Sequence, residues 1–181
     1  LIMNRVSRDN PFYYLTSVAK DRLPIFRTET IGAICAAAFD EARRSAGFMI
    51  FAYAIMLDHV HLITSSSLKS SEVLRYLNGI AAKRIIDHLK ENGHQTSLQK
   101  LREETKKRNY KHSVWEHHPN VFEIYGEDTL IQKVNYIHQN PVRAGLVEKP
   151  EDYLFSSARI WNKRPLENEP LLVDIDKIDW R

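Results

Sequence analysis

Two histidines flank a single valine in His59-Val60-His61, inside the apolar run Ala54-Ile-Met-Leu-Asp-His-Val-His-Leu-Ile63. On an extended strand successive side chains alternate faces, so both imidazoles point one way and Val60 the other. Paired imidazoles on rigid backbone supply two nitrogen donors, half of a metal site. The plainer reading of the same residues is two partly buried histidines satisfied by hydrogen bonds. A second polar group lies in Lys133-Val-Asn-Tyr-Ile-His-Gln-Asn-Pro141. In a helix Tyr136 and Asn140 are neighbours at i and i+4, and Lys133 sits one turn earlier on about the same face. A phenol, an amide and an ammonium then share one stripe, while Val134 and Ile137 turn toward a core. Gln139, at i+3 from Tyr136, is a further amide oxygen. The structural alternatives are a tyrosine at the rim of the core and Asn140 as an N-cap ahead of Pro141.

These groups need a strand and a helix to hold them. Phe12–Val18 is aromatic and β-branched and predicts a first strand. A helix follows from Thr28 as N-cap to Gly47 as C-terminal stop, with Ile31, Ile34, Cys35, Ala38, Phe39 and Ala42 at helical spacing. Cys35 lies on that apolar stripe and reads as a small buried hydrophobe. Residues 48–56 and 59–66 predict two strands joined by a tight antiparallel hairpin at Leu57-Asp58. The histidine pair opens the second of them. A long helix is expected over 71–93, with Leu74, Leu77, Ala81 and Ile85 inward and Lys83, Arg84 and Lys90 outward.

Residues 94–112 show no apolar period and carry six cations against Glu103 and Glu104. They read as a solvated linker or as a phosphate-contacting arm. A short strand, a turn and an extended segment are expected over 113–125, then a last helix from about Gly126 that ends at Pro141. The aromatic stretch 150–161 is expected to pack back on the body. The order β-α-β-β-α-β-α points to an α+β fold with an antiparallel sheet in a ferredoxin-like arrangement, its helices packed on the sheet. Residues 1–162 are read as one catalytic domain and 163–181 as an extended C-terminal tail.

The 181 residues carry a net charge of +3 and one cysteine. Length suffices for a hydrophobic core, and an intrachain disulfide is excluded. No apolar run is long enough to span a bilayer. The slight basicity is compatible with a polyanion partner without demanding one. A structural zinc site is disfavoured by the lone cysteine. Two-histidine phosphodiesterases need two His-x-Thr/Ser motifs, whereas His61-Leu-Ile-Thr64 is spaced differently. Histidine-triad hydrolases need a third alternating histidine, and position 63 is Ile.

In combination the motifs are more specific. Asp58-His-Val-His-Leu62, followed by Tyr136-Ile-His-Gln-Asn-Pro-Val-Arg-Ala-Gly-Leu-Val147, resembles the single-tyrosine HUH transposases of bacterial insertion sequences. Leu15-Thr-Ser-Val18 and Glu151-Asp-Tyr-Leu-Phe-Ser-Ser-Ala158 extend the likeness to the REP-associated tyrosine transposase branch, over about residues 11–161. Leu57 stands where that branch often has proline. Trp115 is followed by Glu-His-His-Pro-Asn rather than by an aromatic pair, so substrate contacts there transfer less well.

The resemblance implies transesterification at a DNA phosphodiester through a 5′-phosphotyrosine intermediate, with Tyr136 as nucleophile. It implies one divalent cation, Mg²⁺ or Mn²⁺, held by His59, His61 and Asn140, with Gln139 and Lys133 as further metal or phosphate contacts. A free tyrosine ionises near pH 10, so the phenol would need help to deprotonate. The implied substrate is single-stranded DNA beside a hairpin of imperfect palindromic sequence, with Lys83, Arg84, Lys106, Lys107, Arg108 and Arg143 as candidate DNA contacts. A bacterial cytoplasmic, nucleoid-associated protein, monomer or homodimer, would follow. The rival reading is a nucleic-acid-binding module that has lost catalysis, against which the joint presence of His59, His61, Tyr136 and Asn140 argues.

Overall fold

The computed structural model describes residues 4–65, 67–104 and 110–180, Tyr110 by its backbone only. The strands β1 (Phe12–Val18), β2 (Met49–Ile55), β3 (His59–Ser65) and β6 (Asn120–Ile124) form one antiparallel sheet in the order β2-β3-β1-β6. The helices α1 (Glu29–Ala46) and α2 (Ser70–Glu91) make the two crossovers, which is the ferredoxin-like βαββαβ path. A further helix, α4 (Glu127–Arg143), follows β6.

Local chemistry explains where these elements begin and stop. Thr28 caps α1 by accepting a hydrogen bond from the Ile31 amide, and Gly47 closes it in the left-handed conformation at φ 72°. β2 is shorter than expected by one residue at each end, β3 runs to Ser65 with its expected last residue, Ser66, outside the described residues, and a register irregularity falls between Ile50 and Ala52.

Alternation on β1 and β3 sorts the core into two layers. Leu15, Val60 and Leu62 face α1 and α2, where they pack with Phe39, Leu77 and Ile85. Phe12, Tyr14 and Ile63 face the opposite way and pack with Leu130, Val134 and Ile137 of α4. The sheet is therefore covered on both faces, and His59 and His61 belong to the α4 side. Cys35 is fully buried between α1 and the sheet, and burial pushes its thiol up, as expected for a packing residue. Gly32 on the same helix admits the Phe155 ring, which would lie 2.6 Å from any added Cβ.

Two expectations change. The last helix does not stop at Pro141 but runs through it to Arg143. Proline removes one rung, the bond to the Ile137 carbonyl. The ladder resumes with Ala144 donating to Asn140 and Leu146 to Pro141, each at 2.9 Å. Asn140 is thus interior to a helix and is not the N-cap of a new one. The aperiodic stretch 94–112 is not a plain linker: it contains α3 (Gln95–Lys100) and the hairpin of β4 (Arg102–Glu104) with β5 (Tyr110–His112). Leu98 and Leu101 anchor it in the α1/α2 core. Two buried leucines three residues apart leave too little pattern to announce a helix.

Beyond the short helix α5 (Ala158–Trp161), residues 163–180 have a single 3-10 turn, Ile175–Lys177, and otherwise run without helix or strand. They lie against the body. Leu171 and Ile178 are buried, Asp174 accepts from the Ile50 amide at the β2 edge, and Asn4 bridges Ile178. Among the described residues no helix is long and apolar enough to cross a membrane.

Candidate active site

Strand pairing builds the site. In register, Thr16 lies opposite His61 on one side and Asn120 on the other, while Tyr14 lies between Ile63 and Phe122. Directly opposed residues of an antiparallel pair share a face. The histidines, Thr16, Tyr14, Asn120 and Phe122 therefore line one surface, and α4 crosses it.

Each imidazole is held by its Nδ1. The His59 Nδ1–H donates to Asp58 Oδ1 at 2.6 Å, and Arg22 reaches the other Asp58 oxygen at 3.3 Å. Burial alone would push the Asp58 carboxyl up, but the hydrogen bond and charge of His59, with Arg22, hold it below the usual carboxylate range. His61 Nδ1 lies 2.9 Å from both the Tyr14 hydroxyl and Thr16 Oγ1. With the proton on Nδ1, these oxygens accept it and Nε2 keeps its lone pair. His61 is 5% exposed, and burial, with His59 nearby, lowers its pKa to about 3. It is therefore a neutral imidazole across the physiological range, the form that binds metal. The two rings stand 4.8 Å apart, edge to face.

The structure brings Tyr136 to this pair. Its ring lies 6.0 Å from that of His61 and 6.3 Å from that of Tyr14, yet remains 41% exposed. Two cations flank it. The Arg143 guanidinium stacks 4.7 Å from the Tyr136 centroid, and the Lys133 ammonium lies 6.0 Å from the same ring. Lys133 is also 4.5 Å from the Phe122 ring and 5.0 Å from that of Tyr14. Asn140 shares the helix face, and its Nδ2 donates to the Tyr136 carbonyl at 2.9 Å. Gln139 is exposed beside it.

Other candidates lie elsewhere. Lys83 and Arg84 are on α2, behind the sheet. Lys83 pairs with Asp87 at 2.7 Å, and Arg84 grips Glu41 with two bonds of 2.7 and 2.9 Å. Lys106, Lys107 and Arg108 fall outside the described residues. Sequence reasoning passed over Tyr14, Thr16 and Phe122. The period-2 alternation of β1 already placed Tyr14 and Thr16 on one face, but not beside His61.

The donor set fits a divalent cation. Two neutral-capable imidazoles present Nε2, each with its Nδ1 fixed by an outer partner, the usual support for metal-binding histidine. No group of three His, Cys, Asp or Glu is assembled among the described residues. Asn140 spends its nitrogen on the helix, a bond that does not engage its Oδ1.

His138, one residue from Ile137 on the buried side of α4, ties the helix to the sheet. Its Nε2 lies 2.9 Å from Ser157 Oγ, which in turn accepts from the Tyr53 amide at 3.0 Å. Burial lowers its pKa to about 4, only partly offset by Glu151. The unfolded chain takes up this proton near pH 6.5, whereas the folded one resists it until about pH 4. Stability is thus complete above pH 6.5 and falls with pH through that window, by about 3 kcal/mol for this group. Urea unfolding at pH 7 and pH 4.5 should show a smaller pH-dependent loss in His138→Asn than in the parent. An equal loss in both would refute the assignment.

Residues 9–140 match the family described as "Transposase IS200 like", and the chain belongs to this IS200-like transposase family. Among solved structures, a REP-associated tyrosine transposase bound to a REP hairpin aligns with a TM-score of 0.62, covering 94% of this chain and 89% of that one at 17% identity. At that identity the likeness establishes the fold. A transposase-type protein of Deinococcus radiodurans R1 aligns over 72% of this chain and 90% of that one, with a TM-score of 0.47 and 18% identity. No curated protein matches the chain.

Proposed function

We propose that this transposase nicks and rejoins single-stranded DNA through a 5′-phosphotyrosine intermediate at Tyr136, acting on hairpin-bearing strands. The observation that carries the reading is the Tyr136 ring, 6.0 Å from His61 and still 41% exposed. A strand laid across that opening meets the phenol and the imidazoles together. The Tyr136 oxygen attacks phosphorus, the new P–O bond forms, and the P–O3′ bond breaks. A water at the exposed ring takes the phenolic proton, helped by the Lys133 and Arg143 charges that favour the phenolate, and water returns a proton to the departing oxygen to give the 3′-hydroxyl. The covalent link preserves the energy of the phosphodiester for attack by another 3′-hydroxyl.

His59 and His61, with an amide oxygen from Asn140 or Gln139, would hold one divalent cation, Mg²⁺ or Mn²⁺. Such an ion would supply Lewis-acid polarisation of the phosphate and charge compensation for the leaving group. Asp58, Tyr14 and Thr16 orient the imidazoles. Lys133 has no carboxylate partner among the described residues and is placed to meet a phosphate oxygen. Arg143 holds the Tyr136 ring by stacking. The solved relative in fold that carries a REP hairpin supports hairpin DNA as the substrate.

The test uses hairpin oligonucleotides with single-stranded flanks, labelled at either end, with Mg²⁺ or Mn²⁺. A denaturant-resistant adduct should retain the 3′ label, while the 5′-labelled fragment is released with a free 3′-hydroxyl. EDTA should abolish the adduct and leave most of the binding. Protein that binds the hairpin but forms no adduct, or one that retains the 5′ label, rules the reading out.

A further inference from the structure

The edge strand β6 carries a large exposed aromatic that no step above uses. Phe122 is 46% exposed, pairs in register with Tyr14, and sits on the same face as His61. β6 is an edge strand of the sheet, paired with β1 on its inner side among the described residues. A bare phenyl ring at a polar surface gains nothing from water. Here it is not alone, because the Lys133 ammonium lies 4.5 Å from its centroid and bridges it to Tyr14 and Tyr136.

We infer that Phe122 and Lys133 form a nucleotide subsite next to the scissile phosphate, in which one unpaired base stacks on Phe122 and its phosphate meets Lys133. The inference rests on the proposed reading of Tyr136 as nucleophile and specifies what holds the strand beside it. The chemistry matches on both halves of a nucleotide. An exposed aromatic face accepts any base, and a cation without a carboxylate partner accepts the phosphate. Lys133 lies 6.0 Å from the Tyr136 ring, so a phosphate held by its ammonium stands beside the one that the phenol faces. A paired base cannot use the platform, because its faces are covered by its neighbours. The subsite thus selects for unpaired DNA at the point of cleavage, whatever the sequence of the hairpin.

The test compares Phe122→Ala, Phe122→Leu and Phe122→Trp in binding a hairpin oligonucleotide with a single-stranded flank, read by fluorescence anisotropy. Base–aromatic stacking predicts that Ala weakens binding by about 5- to 100-fold, that Leu also weakens it, and that Trp restores it. An abasic residue walked along the flank should locate one position where the parent loses the same factor and Phe122→Ala loses nothing more. At that position 2-aminopurine should be quenched on binding the parent and not on binding Phe122→Ala. Equal binding by Phe122→Ala and the parent, restoration by Leu as well as Trp, or independent effects of Phe122→Ala and the abasic site at every position would each overturn the inference. These readouts are of binding, so they stand apart from the chemistry. Phe122-dependent quenching without any adduct would uphold the subsite and reject Tyr136 as nucleophile.

Discussion

Tyr136→Phe is expected to abolish the covalent protein–DNA adduct of the proposed reaction and to change hairpin affinity by no more than about tenfold. Affinity survives because the substitution removes a single hydroxyl from a half-exposed ring, and one hydrogen bond contributes about 0.5–1.5 kcal/mol net. The ring stays, so its stacking with Arg143 and its edge contact with His61 stay as well. Chemistry is lost outright because no second phenol can stand in. Tyr14 is the nearest candidate, with its ring 6.3 Å from that of Tyr136, but it is 7% exposed and its hydroxyl is engaged at His61 Nδ1. Burial, reinforced by Tyr136 and only partly relieved by Thr16, pushes its pKa up to about 12. On the proposed reading Tyr14 therefore orients His61, and Tyr136 is the phenol left to react. Tyr14→Phe should keep the adduct and slow its formation by at most about 10- to 100-fold, the range for an outer partner of a metal-binding histidine. Denaturing electrophoresis of 3′-labelled hairpin separates the two cases, and an adduct that survives Tyr136→Phe places the nucleophile elsewhere.

That contrast between two tyrosines shows what sequence alone can and cannot resolve. Tyr136 was legible because a helix fixes its neighbours locally: Lys133 and Asn140 must share its stripe whatever the rest of the chain does. His59 and His61 were legible for the same reason on a strand. Tyr14 and Thr16 were not, because they reach His61 only through the pairing of β1 with β3, and strand order is a long-range choice. Phe122 depends on a second such choice, the pairing of β6 with β1. Surface cations are harder to place from sequence. Lys83 and Arg84 are basic in any reading, but charge does not say which face of a sheet a helix will cover, and in the fold both are taken up by carboxylates behind the sheet.

The elements themselves followed local rules where caps and periodicity were clear, as at Thr28, Gly47 and the β2–β3 hairpin. They departed where tertiary packing overrides local signal. Pro141 is a strong stop in isolation, yet α4 is held against the sheet by Leu130, Val134 and Ile137, and one missing rung does not outweigh that burial. The hairpin of β4 and β5 carries no alternation of its own and is read only once its anchor at Leu101 is seen.

Composition past Asn162 predicts only an extended tail, and the second large effect comes from there. Glu169→Ala and Arg159→Ala are each expected to destabilise the fold by about 3–5 kcal/mol. Arg159 and Glu169 side chains are 8% and 0% exposed and meet through two bonds of 3.0 and 2.7 Å. The guanidinium also donates to the carbonyls of Glu151, Tyr153, Leu154 and Ser156. Removing the carboxylate strands a buried cation; removing the guanidinium strands a buried anion and several carbonyls. Either loss is large against the ~5–15 kcal/mol that holds a typical domain together. Replacing both by methionine should recover part of it, because neither charge is then left unpaired. The consequence reaches the active site through the chain that Arg159 pins. Phe155 accepts from the Ile55 amide at 2.9 Å, Ser157 donates to the Tyr53 carbonyl at 3.1 Å, and Ser157 Oγ meets His138 on the helix that presents Tyr136. Urea titration followed by tryptophan fluorescence measures the loss. Adduct yield should fall in step with the unfolded fraction and recover wherever the variant is folded. Single variants that unfold at the parental midpoint would show instead that the ion pair contributes no more than a surface contact.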